Sequence, residues 1–259
     1  MKRIALVICA SIVTLHCGKN YDELFHEGVE LRKNHKWSLA KKKLFEAAEK
    51  KATAEVYKEL GNVFLLGEQN IGEAENYYQK SLVVNPKYIN AEFNMAVIQL
   101  KKYELTLDNK GQGDAKILDA AHTWFQRVYE QDPNFSIGIE EMAKYYYYKR
   151  DYKKALETAQ RAVGLDNRNA NAYSVLGQIY FSGLKDYKQA FDNFDQARSL
   201  NNNDTDVVYF LWATSVKLNK KEDATQFKMH YEQRLEKEGL TKEQVQDRVK
   251  RLENQLRGG

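Results

Sequence analysis

The sequence predicts an all-α fold, an α-solenoid of about six helical hairpins closed by a C-terminal capping helix. Three observations lead there. Tyr173, Leu176, Gly177 and Tyr180 stand at i, i+3, i+4 and i+7, one stripe of a helix, and Ala190, Phe194 and Ala197 stripe a second. Ser182–Asp186 breaks the pattern between them, so the unit is a hairpin, and a single hairpin cannot bury both stripes without neighbours. Counterparts of Ala190 recur at Ala40, Ala74, Ala121, Ala155 and Ala224, in steps of about 34 residues. Ala74 to Ala121 is the one long step, and an insertion accounts for it. The chain's two prolines, Pro86 and Pro133, both fall in the turn after a second helix, and Asn167 and Asn202 continue that series. Proline suits such a turn because it cannot continue the helix behind it.

Taken in order, Met1-Lys2-Arg3 is a basic start followed by twelve uncharged residues, Ile4 to Leu15. That run is too short for a transmembrane helix, which needs about 20 apolar residues, and it suits the apolar stretch of a secretory signal. Residues 1–16 are therefore expected to be a signal peptide and 17–20 a short tether. The hairpins follow at about 21–53, 54–88, 89–135, 136–169, 170–204 and 205–239. The third carries an insertion at 104–116, rich in Asp, Asn and Gly, which reads as a flexible loop flanked by lengthened helices. It fits neither a calcium loop, since Lys110 and Gln112 stand where Asp or Asn belongs and Asp119 where Glu does, nor a phosphate loop, since no Lys-Ser or Lys-Thr follows its glycines. Residues 240–259 form the last helix. Thr241 and Gln244 have capping-box spacing, and Leu240 with Val245 make a hydrophobic staple. Val245, Val249, Leu252 and Leu256 give it a narrow stripe that suits a cap over the last hairpin better than a dimer seam.

The unit at 173–202 resembles the tetratricopeptide repeat, whose signature runs aromatic, Leu-Gly, Tyr, Ala, Phe, Ala and a closing Pro, with a period of about 34 residues. The resemblance covers about residues 21–231. It implies a groove lined by the first helices and formed by the second, fifth, sixth, ninth and twelfth positions of each unit. Here those positions select Phe25, Lys58, Asn62, Asn90, Phe93, Asn94, Lys144, Tyr147, Asn171, Ser174, Gln178, Phe181 and Tyr209. Amide side chains can bond any peptide backbone and aromatics supply apolar area, a mixture suited to an extended peptide or a partner helix. Tetratricopeptide domains of chaperone cofactors grip a C-terminal carboxylate. Lys58, Asn62 and Asn94 match three of the five clamp positions, but the other two are Ile137 and Glu141. A glutamate there would repel the carboxylate, so that clamp is not expected.

The N-terminus resembles a bacterial lipoprotein signal cut before Cys17, of the looser kind found in spirochaetes, with Thr14 and His16 departing from the usual pattern. The resemblance implies lipid on Cys17 and attachment to a bacterial envelope membrane, with the outer membrane favoured and its face left open. The alternative is an uncleaved anchor with an idle Cys17. Only Gly18 to Asn20 separate Cys17 from the first helix, about 11 Å when extended. The first hairpin, with Lys33, Lys36, Lys41, Lys42, Lys43, Lys50 and Lys51, would then lie close to the lipid surface.

Composition narrows the function classes. The chain has 40 Lys and Arg against 36 Asp and Glu, too even a balance to indicate nucleic-acid binding. Cys9 and Cys17 are its two cysteines, so nothing after Cys17 can form a disulfide or a thiolate metal site. His26-Glu27 lacks a second histidine four residues on, and no nucleophile elbow appears. The expected function is a non-catalytic, membrane-anchored scaffold, monomeric and without metal or cofactor, that binds a partner protein or peptide and serves envelope assembly. A surface adhesin binding host molecules is the alternative, and an enzyme with an unrecognised site a distant third.

Overall fold

A computed structural model describes residues 19–108, 111–133, 135, 138–201 and 203–258. The expected signal peptide at 1–16, Cys17, Ile137 and Asn202 lie outside the described residues. Among the described residues there are thirteen α-helices, one π-helical segment and no strand. The chain divides into two compact units, residues 1–94 and 95–259, with the division inside one helix.

The first unit holds α1 (Tyr21–Lys33), α2 (Trp37–Lys50), α3 (Ala54–Leu66), α4 (Ile71–Val84) and the start of α5 (Ile89–Glu104). Three of these helices begin where a short polar side chain replaces a missing backbone partner. Asn20 accepts from the Glu23 N–H at 2.9 Å while Glu23 accepts from the Asn20 N–H at 3.2 Å, a complete capping box on α1. Thr53 and Asn70 cap α3 and α4 with single bonds. Leu24, Leu44, Ala47, Val56, Leu60 and Val63 form the core between the hairpins. Helices meet closely where Gly28 faces Leu44: a Cβ on Gly28 would stand 2.8 Å from the leucine Cγ.

The second unit continues with α6 (Ala115–Gln131), α7 (Ile139–Tyr148), α8 (Tyr152–Leu165), α9 (Ala170–Gln178), α10 (Tyr187–Leu200), α11 (Thr205–Lys217), α12 (Lys221–Lys237) and α13 (Lys242–Gly258). Gly177 repeats the arrangement of Gly28, since its Cβ would lie 2.5 Å from the Phe194 ring. Of the ladder alanines, Ala40, Ala74, Ala121, Ala155 and Ala190 are fully buried. Ala224 is half-buried, because in the last hairpin Phe227, Tyr231 and Leu235 take over the core.

The turns hold features that the sequence pattern does not reveal. His35, Gln69, Arg150, Lys185 and Asn219 all adopt the left-handed conformation, with φ between 52° and 59°. Each stands five residues before its ladder alanine, so the hairpin turn is constant while the residue occupying it changes. Between hairpins, Asn85, Asp166 and Asn201 accept the backbone N–H two residues on, at 3.2, 2.9 and 3.1 Å. The turn is therefore built one residue before Pro86, Asn167 and Asn202, by an Asx bond. The step from Ala155 to Ala190, one residue longer than the step before it, also has a cause. Ala143 to Gly177 keeps the regular period, but Arg150 to Lys185 exceeds it by one. The extra residue is absorbed by a π-helical segment, Ile179–Leu184, which prolongs α9. The break expected across Ser182–Asp186 thus shrinks to Lys185 and Asp186.

The insertion in the third hairpin is tied down on both sides. Gln112 N–H donates to Asp108 at 2.9 Å, Asp114 N–H to Thr106 Oγ1 at 2.9 Å, and Gly113 N–H to the Tyr103 hydroxyl at 3.2 Å. Composition predicts a loose loop; its described residues are held by these bonds. In α13, Val245, Val249 and Leu256 are buried with Leu252 against the core of α11 and α12. Thr241 and Gln244 make their reciprocal bonds at 2.8 and 3.3 Å. The apolar stripe is consumed within the chain, and α13 is a cap.

Candidate functional site

The thirteen candidate groove residues divide between the units, and their surroundings differ. In the first unit the centre is Glu59, a carboxylate with 5% of its surface exposed. The Arg32 Nε lies 2.6 Å from it, Lys58 pairs with it, and Asn62 Nδ2 donates to it at 3.1 Å. The Asn62 oxygen in turn accepts from the Tyr78 hydroxyl at 2.9 Å and from Asn94 Nδ2 at 3.2 Å. Burial alone would push the Glu59 carboxyl up, but Lys58, Arg32 and Asn62 together hold it below the usual glutamate range. Lys58, Asn62 and Asn94 are thus brought together, and their polar atoms bond one another and Glu59. Asn90 bonds the Tyr88 side chain, Phe25 stacks on Tyr21 with ring centres 5.6 Å apart, and Phe93 is half-buried.

In the second unit all the candidates but Phe181 line cavities. A cavity of about 500 Å³ is walled by α5, α7, α9, α11, α12 and α13, and its lining includes Glu104, Lys144, Gln178, Asp206, Tyr209 and Arg248. A smaller one, about 160 Å³, shares Lys144, Gln178 and Asp206 and adds Glu140, Glu141, Asn171, Ser174 and Asp204. Five candidates, Lys144, Asn171, Ser174, Gln178 and Tyr209, therefore converge on one groove. Ser174 does so from a buried position, with 8% of its surface exposed. Phe181 packs instead against Tyr187 and Phe210, at 5.5 and 5.7 Å. Tyr147 lines a separate cavity of about 380 Å³ beside Arg150, Tyr152 and Lys185, at the hairpin turns.

Charge in this groove is unevenly compensated. Lys144 lies 3.5 Å from both Glu104 and Glu141; desolvation opposes its charge, yet these two carboxylates raise its pKa. The Tyr148 hydroxyl donates to Glu104 at 2.8 Å, and burial with that carboxylate pushes its own ionisation far up. Burial and the neighbouring Glu141 raise Glu140, while burial and Asp204 raise Asp206. Glu140, Glu141 and Asp206 occupy the fifth and sixth positions of the fourth hairpin and the second of the sixth. The register that selected the amides and aromatics therefore already pointed to them. Nothing in the pattern marks Glu104 or Arg248.

Among the described residues no group of three or more His, Cys, Asp or Glu is placed to hold a metal ion, and no helix is long and apolar enough to cross a membrane.

Comparison with known proteins bears on the fold. Residues 170–204 match the tetratricopeptide repeat family model. Anaphase-promoting complex subunit 3 of Schizosaccharomyces pombe is 26% identical over 149 residues, covering 58% of this chain and 20% of that protein. The chain thus spans about a fifth of the length of this curated relative. A thermophilic TPR protein of Thermus thermophilus superposes with a TM-score of 0.62 at 15% identity, over 75% of this chain and 98% of the other. The APC/C hetero-tetramer Cut9–Hcn1 gives 0.71 at 15% identity, over 82% of this chain and 39% of the other. PilW, a type IV pilus biogenesis factor, gives 0.65 at 10% identity, over 83% of this chain and 93% of the other. The fold is that of tetratricopeptide repeat structures, and residues 170–204 match one such repeat at the level of sequence.

Proposed function

We propose that this chain is a non-catalytic, monomeric scaffold that holds a segment of a partner protein in the groove of residues 95–259, with Cys17 carrying a lipid that ties it to a bacterial envelope membrane. Proteins of this fold generally mediate protein–protein interactions. The observation that carries the reading is the convergence of Lys144, Asn171, Ser174, Gln178 and Tyr209 on one groove, its larger cavity about 500 Å³. Aromatic walls with a few placed amides suit an extended or helical segment. The likeness to a pilus biogenesis factor and the lipoprotein-like N-terminus support a role in envelope assembly.

The test is crosslinking and pull-down from native membranes with the unaltered chain and with Asn171→Ala/Gln178→Ala. The reading expects one partner whose recovery falls about tenfold in the variant, corresponding to the loss of roughly one or two hydrogen bonds. Equal recovery from a folded variant would remove the groove from the account. Separately, Cys17→Ser should release the protein from membranes. Continued membrane association with unchanged detergent partitioning would discard the lipid anchor. Protease shaving of intact cells then decides which face of the membrane carries the chain.

A further inference from the structure

Resting on that groove reading, we infer that the partner segment is basic and presents an arginine or lysine side chain to Glu140 and Asp206. The charges that face the groove come from four helices and the cap residue of one. Lys101 and Glu104 come from α5, Glu140, Glu141 and Lys144 from α7, Asp204 and Asp206 from the start of α11, and Arg248 from α13. Five are carboxylates and three are cations. Lys144 is shared by Glu104 and Glu141. Asp204 caps its own helix by accepting the N–H groups of Asp206 and Val207 at 2.9 and 3.2 Å. Glu140 accepts hydrogen bonds from its own backbone N–H and from the Asn169 side chain, but among the described residues neither it nor Asp206 forms an ion pair.

The chain itself places a cation in this groove. Arg248 of this chain enters the larger cavity, where its guanidinium carbon lies 5.9 Å from the centre of the Tyr231 ring and it bonds the Tyr231 hydroxyl. The field of Arg248 is felt at Asp206. Tyr209 and Phe210 extend the aromatic wall, with ring centres 5.1 Å apart. A guanidinium or ammonium over an aromatic face, opposed to a carboxylate, is the arrangement that draws a cation out of water. An acidic segment would meet five carboxylates and only three cations, two of them already engaged.

Calorimetric titration of the full chain with two capped ten-residue peptides tests this. The peptides are identical except for arginine or glutamate at three positions. The arginine peptide should bind about tenfold or more tightly than the glutamate peptide. Glu140→Gln/Asp206→Asn should cut its affinity about tenfold, whereas Glu49→Gln/Glu130→Gln, which removes the same charge outside the groove, should change it less than twofold. Arg248→Ala should leave the affinity unchanged or raise it, because the competing cation is gone. Circular dichroism melting checks that each variant is folded. Equal or tighter binding of the glutamate peptide, lost in Asn171→Ala/Gln178→Ala, would overturn the basic partner and leave the groove reading standing. Equal weakening by the two charge-removing variants would reduce the effect to overall charge and likewise overturn it. Binding of neither peptide would overturn both.

Discussion

Lys58 and Lys144 occupy positions that the repeat register assigns to a groove, one in each half of the chain, and their fates differ. Lys58 meets a buried glutamate at the next residue, and Arg32, Asn62, Tyr78 and Asn94 complete a closed network around that carboxylate. Lys144 is held between Glu104 and Glu141 at the edge of an open cavity. The carboxylates record the contrast: Glu59 is held below its usual range, whereas Glu140 and Asp206 are pushed above theirs. In the first unit Lys58, Asn62, Tyr78 and Asn94 are engaged with Glu59 or with one another, and Arg32 pairs with Glu59 by charge. In the second, Glu140 and Asp206 line a cavity with no ion pair of their own among the described residues.

The sharpest way to break this comparison is to remove the centre of the first network. Glu59→Ala leaves Arg32 and Lys58 without their shared carboxylate, on side chains only 19% and 18% exposed. Unfolding free energy should fall by about 3 kcal/mol, the usual cost of orphaning a buried charge, as read by chemical denaturation. Asp206→Asn should leave stability within about 0.5 kcal/mol. Equal losses at the two sites would erase the distinction.

Gly177→Val should come next, at about 1–3 kcal/mol, since any Cβ meets the Phe194 ring. Tyr78→Phe should cost about 1 kcal/mol by taking one bond from Asn62.

Acid should separate the two halves by sign. A depressed folded-state carboxyl such as Glu59 contributes stability that is present above about pH 4.3 and is lost as pH falls through its lower folded value. For Glu140, whose folded pKa is raised, the ionised form carries a penalty that appears as pH rises past about 4.3. Glu140→Gln should therefore raise the melting temperature at pH 7, and the gain should vanish by about pH 4. A gain that persists in acid would show that desolvation of the charge is not its source. The smallest effect is expected at the turns: Lys185→Gly, at φ 59°, should stabilise by about 0.5–1 kcal/mol by relieving a left-handed non-glycine residue.

Much of the fold was legible because it is written in small residues. Ala40, Ala74, Ala121, Ala155 and Ala190 mark fully buried helix contacts, and Gly28 and Gly177 mark two close approaches where a Cβ would clash. The turns were illegible because five different residues, from His35 to Asn219, adopt one backbone conformation. A period too long by one cannot show whether the extra residue lengthens a loop or winds into the π-helical segment. At the site, register put Lys58, Asn62 and Asn94 near one another, but could not show their engagement around Glu59, since a side chain's direction depends on its neighbours across helices. The same register offered Glu140, Glu141 and Asp206, and a preference for amides and aromatics passed over them.

A benzophenone-bearing phenylalanine placed either at Tyr209 or at Phe25, aromatic for aromatic, and irradiated in cells that make the protein, tests the division of labour between the halves most directly. Adducts with a partner protein from position 209 and none from position 25 are the predicted result. Adducts from position 25 with none from 209 would place the holding surface in the first unit and contradict the account.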